Sequence, residues 1–323
     1  MGYSGLRASH TVDGVVADGT VTGELLRELR CAAGIGLRRM AAQTHYTPSY
    51  LSLVETGRRP VTEGVLDRYR AVLSDPVLDG VDLRRLSSTV SDPSSAGLSG
   101  VDDLAVILDK TRHLEDTVGA ATVVSLVRGM DGTARELARH GAGGRPSAAL
   151  ASDVTRYRGW LEHAIGRRMV ADRVLRDAVE LAQDGAQRAH ALSFRSLTAR
   201  HDGDLAKALD LADGALAEDG VHPALRAFDR YWKAELLARR GEHRAAAREL
   251  AADPPEYDEL PPGGYWYTPG FLGVQRGLVL SCMGRRADGI AEATQGVKAM
   301  PAEHRHTDWL NVMLAQVDPD MRD

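Results

Sequence analysis

The chain has 323 residues, 43% hydrophobic and 26% charged, with 40 Lys+Arg against 45 Asp+Glu for a net charge of −5. Those proportions exclude wholesale disorder and allow two or more cores, or one small domain with an array of repeats. Aromatics at only 5%, among many Ala, Leu and Arg, favour helices over sheets, so the expected class is all-α.

Residues 1–20 show no helical period and are expected to be a flexible N-terminus. Leu25, Leu26, Leu29, Ala32 and Ala33 then follow the 3.6-residue period, between Thr22 as N-cap and Gly34 as C-cap. A second short helix from Leu37 to about Thr44 offers Leu37, Met40 and Ala41 to a core. After a break at His45 and Tyr46, Thr47 and Pro48 open a third helix that runs to about Thr56 and stops at Gly57. Thr62 caps a fourth, whose Val65, Leu66, Tyr69, Val72 and Leu73 repeat the spacing of the first. Four short helices joined by tight turns make a compact bundle over 21–75.

Charge is informative once divided. Residues 1–75 are net +1, and the remainder holds 31 Lys+Arg against 37 Asp+Glu. Between Gly34 and Pro60 stand Arg38, Arg39, Arg58 and Arg59 against Glu55 alone. A basic patch on an acidic body is the layout of a small DNA-binding head, since only the patch attracts a phosphate backbone.

The stretch "LRELRCAAGIGLRRMAAQTHYTPSYLSLVETGRRPVTEGVLDRYRAVL" resembles the phage-repressor (Cro-like, XRE) helix-turn-helix family without a gap. The resemblance rests on small Ala41 at the helix crossing, apolar Leu51 and Val54, and the E-x-G of Glu55 and Gly57. It implies an Arg30–Glu55 pair and a third helix that enters the major groove of DNA. By position, Thr47, Ser49, Tyr50, Ser52 and Leu53 then face the DNA, and Arg38, Arg39, Arg58 and Arg59 meet phosphates. Two departures stand out. Gly36 and Leu37 replace the usual Ser/Thr cap and Gln of the second helix, and the third helix lacks Gln, Asn and Arg, the side chains of bidentate base contacts.

Residues 76–100, with "SDPSSAGLSG", are expected to be a linker by composition, within which "VDLRRLSS" allows one short helix. Two helices follow between Val101 and Gly141, carrying Leu104, Ile107, Leu108 and then Val123, Val124, Val127.

From about Ala148 the chain repeats. Turn glycines Gly166, Gly203, Gly241 and Gly284 each follow a small residue by seven positions, at Gly159, Ser196, Ala234 and Gly277. Each precedes another by five, at Ala171, Ala208, Ala246 and Gly289. Small residues at both offsets let antiparallel helices approach closely, and the spacing resembles degenerate tetratricopeptide (TPR) repeats. A TPR-like α-solenoid is therefore expected over 101–316, with a tail at 317–323.

The same register aligns Tyr157-Arg158, Phe194-Arg195, Trp232-Lys233 and Gln275-Arg276. Such aromatic–cation steps either line a groove for an anionic or peptide ligand, or fill the interhelix core while each cation pairs with an acid. Arg158, Trp160, Arg195, Trp232, Lys233 and Arg276 are the groove candidates, with Tyr265, Trp266 and Tyr267 of "GGYWYTPG", an insertion in the repeat spacing.

No cofactor fingerprint or catalytic motif is present, and His304, His306 and Asp308 read as solvated surface rather than a metal site. No apolar run approaches the roughly 18 residues of a membrane span, and "MGYSGLRASH" lacks a signal-peptide core. Cys31 and Cys282 lie far apart, with no metal-ligand spacing, as suits a reducing compartment; the expected location is cytoplasmic. Head and body together resemble TPR-containing XRE regulators. The implied function is a dimeric transcriptional regulator of double-stranded DNA, not an enzyme, with a peptide or small-molecule effector. The alternative is a protein-interaction adaptor whose head merely docks.

Overall fold

The computed structural model describes residues 22–32, 35–73, 81–140, 144–251 and 257–321. The chain divides into two compact units, Met1–Gly80 and Val81–Asp323. The N-terminal segment 1–20 and the first helix's C-cap at Gly34 lie outside the described residues, as do the side chains of Leu25, Leu29 and Ala32.

In the first unit α1 (Gly23–Ala32), α2 (Leu37–Thr44), α3 (Pro48–Glu55) and α4 (Glu63–Leu73) enclose one core of Leu26, Met40, Ala41, Leu51, Val54, Val65 and Tyr69. Local signals set the boundaries. His45 ends α2 in the left-handed region (φ 60°), and the Thr47 hydroxyl accepts the Tyr50 N–H at 3.2 Å to start α3. Gly57 then turns the chain at φ 71°. Each such cap is worth about 1 kcal/mol.

The second unit begins earlier than composition suggests. The stretch 76–100, expected as a linker, contains α5 (Leu83–Ser91), a 3₁₀ turn at Pro93–Ser95 and the start of α6 (Leu98–Val118). Its Arg85 makes two hydrogen bonds, 2.6 and 2.8 Å, to the buried carboxylate of Asp103. The short helix that "VDLRRLSS" allowed is thus held to α6 by a charge pair, with Leu86 packed on the core.

After α6 and α7 (Ala120–Arg139) come four antiparallel pairs: α8 (Arg145–Ala164) with α9 (Arg168–Leu181), α10 (Gly185–His201) with α11 (Leu205–Ala217), α12 (Pro223–Arg239) with α13 (His243–Leu250), and α14 (Pro269–Cys282) with α15 (Arg286–Ala299). The four turn glycines share φ 81–83°, a conformation that costs other residues about 1–2 kcal/mol. At the crossings Ala171, Ala208 and Ala246 are fully buried. A β-carbon on Gly159 would run into Leu175, and one on Gly277 into the backbone of Gly289. Ser196 uses the same closeness to donate to the Ala208 carbonyl at 2.6 Å.

The unit ends on α16 (Asp308–Val317), and within the expected tail a 3₁₀ turn at Pro319–Met321 follows it directly. Val317 is buried, and the buried Asp318 carboxylate accepts from Arg286 at 2.6 Å, so the solenoid runs past residue 316.

Candidate functional site

The first unit presents α3 outward on a braced base. Arg30 grips Glu55 through two bonds, Nε to Oε1 at 2.7 Å and Nη2 to Oε2 at 2.8 Å, and Tyr69 donates to Oε1 at 2.6 Å. Burial alone would raise the Glu55 pKa, but the bonds from Arg30 and Tyr69 outweigh it and hold the carboxyl below its ordinary value. Arg30 also donates to the Ile35 carbonyl at 2.8 Å, tying the loop before α2 to the same pair. Ala41, 2% exposed, lies in the core shared by α2 and α3, where a larger side chain would push them apart.

On the other side of α3, Thr47 and Ser49 are exposed, and Tyr50, Ser52 and Leu53 are half-buried. Arg38, Arg39, Arg58 and Arg59 are all exposed, and no salt bridge engages any of them among the described residues. Gly36 caps α2 without a side-chain bond, leaving the first-turn N–H groups of that helix open. Tyr50 is held from two sides, once by Tyr46, which sequence reasoning did not single out. Tyr46 stacks on Tyr50 with ring centroids 5.1 Å apart, and the Arg59 guanidinium sits 5.3 Å over the same ring.

In the second unit the aromatic–cation register resolves into core and ion pairs. Arg158 bonds Asp131 at 2.7 Å, Arg195 lies 3.4 Å from Asp172, Lys233 bonds Asp213 at 2.8 Å, and Arg276 bonds Glu292 at 3.0 Å. Asp172, Asp213 and Glu292 stand on α9, α11 and α15, the second helices of their pairs, and Asp131 stands on α7, which precedes them. One residue of helix rotates about 100°, so a cation next to a core aromatic is carried to the outer layer. Trp232 is 4% exposed and donates its indole N–H to Ser196, and Tyr267 is fully buried. Trp232 and Tyr267 are thus core residues, while Arg158, Trp160, Arg195, Lys233, Tyr265, Trp266 and Arg276 are half-buried.

The face lined by the first helices carries instead a polar network that the repeat signal did not reveal. Asp153 bridges Arg112 (2.9 Å) and Arg156 (2.5 Å). Burial works against that carboxylate, and the two guanidinium charges outweigh it and keep its pKa low. Glu115 accepts from Tyr157 and from Trp160, each at 2.8 Å, while burial pushes its pKa up to about 7. Asp116 accepts from Tyr265 at 2.6 Å and from Trp309 at 2.9 Å. Asp153 and His190 share one register position, six residues before Gly159 and Ser196. Their different chemistry hid the recurrence.

Residues 22–73 match the family model for a helix-turn-helix domain. The match covers all four helices of the first unit. No curated protein matches the chain. A crystal structure of Bacillus thuringiensis PlcR in complex with the peptide PapR7 and DNA is similar at 14% identity and a TM-score of 0.40, over 85% of this chain and 94% of that one. Similarity at that level carries no functional inference.

Within the helix-turn-helix domain the Arg30–Glu55–Tyr69 cluster sets the orientation of α3 against α1 and α4, because all three side chains are buried and mutually bonded. Among the described residues no group of His, Cys, Asp and Glu could hold a metal ion, and no helix is long and apolar enough to cross a membrane.

Proposed function

We propose that this chain is a sequence-specific DNA-binding transcriptional regulator of the cytoplasm, acting by binding rather than catalysis. It works as a homodimer, with the repeat unit sensing a peptide or small-molecule effector. The reading is carried by α3 as a braced helix with a polar outer side, flanked by Arg38, Arg39, Arg58 and Arg59, for which no acidic partner is described. Thr47 and Ser49 meet phosphates or base edges, Ser52 adds a hydroxyl, and Leu53 packs on a thymine methyl group. Tyr50, held by Tyr46 and Arg59, presents its phenol along the same edge. The four arginines position the domain without reading sequence, and a homodimer sets the spacing of two half-sites one helical turn apart.

Selection of bound fragments from randomised DNA by the full chain tests this. A compact palindromic site is expected. Arg58→Ala with Arg59→Ala should then weaken binding on all sequences alike and reduce the salt slope by about one unit per lost contact. Retention of no DNA at moderate salt would overturn the reading in favour of a protein-interaction adaptor.

A further inference from the structure

The insertion "GGYWYTPG" crosses the first helices of the repeat pairs. Tyr265 reaches α6, where its hydroxyl donates to Asp116 and its ring stacks on His113 with centroids 4.1 Å apart. Trp266 lies half-buried near His190 of α10. The Tyr267 hydroxyl is 2.7 Å from His190 Nε2, and its ring packs on Phe228 of α12 and Phe271 of α14. Burial and the neighbouring Arg156 hold His190 neutral, so its Nε2 can accept that hydroxyl proton. Three consecutive residues thus span α6, α10, α12 and α14.

Tyr267 is itself fully buried, but the attachment of the segment differs from that of the helices around it. Its backbone bonds are local: Gly264 N–H to the Pro261 carbonyl, Tyr267 N–H to Gly264, and Thr268 N–H to Trp266. It is attached to the helices by side chains. Beneath it the charged groups satisfy one another, Asp153 with Arg112 and Arg156, and Glu115 with Tyr157 and Trp160. Lifting the segment exposes the polar Asp116 and His190, which water can satisfy, and breaks the apolar contacts of Tyr267 on Phe228 and Phe271, which is what holds it closed. Close approach also depends on one residue. Gly263 has φ 62°, and a β-carbon there would collide with the Arg112 guanidinium, which Asp153 pins in place.

We propose that residues 263–268 are a strap, a built-in occupant of the sensing face, displaced by an extended peptide that brings two donor-tipped aromatic side chains two residues apart. The spacing is that of Tyr265 and Tyr267, whose hydroxyls meet Asp116 and His190. This rests on the repeat unit being the sensor. A strap that is open in one molecule in ten makes the apparent ligand Kd about tenfold weaker than that of the bare face. Ligand and strap compete for the same groups, so binding selects the open population.

The test uses the full chain without DNA, so failure of DNA recognition and failure of the strap are read separately. The probe is the heptapeptide Gly-Gly-Tyr-Trp-Tyr-Thr-Pro, titrated by calorimetry, with amide exchange followed over 263–268 and over α8, α10 and α12. Gly263→Ala should expel the strap, speed its amide exchange about tenfold with the helices unchanged, and bind the peptide about tenfold more tightly than wild type. Gly241→Ala, a turn glycine at φ 81° between α12 and α13, should gain no peptide affinity. If Gly263→Ala does not fold, Tyr265→Phe, which loses the Asp116 bond and keeps the ring, should show a smaller gain of both readouts. Equal peptide affinity in wild type and strap variants would overturn the proposal, as would strap and helix amides that exchange together.

Discussion

Replacing Glu55 by Gln tests whether the buried cluster seats α3. Glu55 is 3% exposed and Arg30 8%, and the pair shares two bonds under 3 Å with Tyr69 completing the set. Gln keeps the shape and one acceptor but leaves the Arg30 charge buried without its counter-charge. Removing one partner of a buried pair costs about 3–5 kcal/mol. Retained hydrogen bonding places Glu55→Gln at the lower end, about 3 kcal/mol. A domain the size of residues 22–73 has about 3–8 kcal/mol in all at typical per-residue stability, so the variant domain is marginal. Calorimetry of the full chain should show the helix-turn-helix transition lowered while the repeat unit, with its own cores, melts unchanged. Affinity for DNA should fall in parallel.

The pH dependence carries a defined sign. The folded pKa of Glu55 lies below the ordinary 4.5, so its contribution is full above that value and is lost as pH falls through the lowered one. Wild type and Glu55→Gln should therefore converge in acid and diverge toward neutrality. A Glu55→Gln domain that melts within about 1 °C of wild type at pH 7 would refute the reasoning, since 1 kcal/mol shifts a domain of this size by about 4–8 °C. The seating of α3 would then rest on Leu51 and Val54 alone.

Asp229, wholly buried, accepts one short bond from Ser193, its Oδ2 has no partner among the described residues, and burial pushes its pKa up to about 8. A raised folded pKa gives stability that is full below the unfolded value near 3.8 and lost as pH rises through 8. Asp229→Asn should thus stabilise the repeat unit by about 1–3 kcal/mol at pH 9 and change little at pH 4, as read from urea midpoints. Gly203→Ala, at φ 83°, should cost about 1–2 kcal/mol in the same measurement with the transition still cooperative.

Periodicity and turn residues located the elements well because backbone geometry admits few residue types there. Thr47 and Pro48 begin α3, Gly57 follows it, and the four left-handed glycines fall at the expected turns. Small residues marked the crossings for the same steric reason. Side-chain commitment was less legible. A Tyr-Arg step reads alike whether the cation faces a groove or an acid, and only the position of Asp131 on α7 shows that Arg158 pairs with an acid. In the network of Arg112, Asp153, Arg156 and His190 only the Asp153–Arg156 step is local, and the links of Arg112 to Asp153 and of Arg156 to His190 span 41 and 34 positions, so no local pattern announces it. Arg85 with Asp103 defeated the linker reading similarly, since its stabilising partner lies 18 residues away.

The outer side of α3 sets a limit on what one helix-turn-helix domain can achieve. Hydroxyls donate or accept indifferently, and a leucine recognises only a methyl group, so Thr47, Ser49, Ser52 and Leu53 forgo the bidentate pairs worth about 1–3 kcal/mol each in base discrimination. In the proposed complex the four arginines on phosphates add affinity without sequence, and they add it in a salt-dependent way. For the proposed regulator, specificity then comes from two further sources: the sequence-dependent shape of the DNA between contacts, and a second domain that turns two weak encounters into one through effective concentration. A monomeric 22–73 fragment should accordingly bind operator and random DNA with similar, strongly salt-dependent affinity in a fluorescence-anisotropy titration, and the full chain should separate them. A fragment that discriminates as well as the full chain would mean that α3 reads bases directly, through contacts its side chains do not suggest.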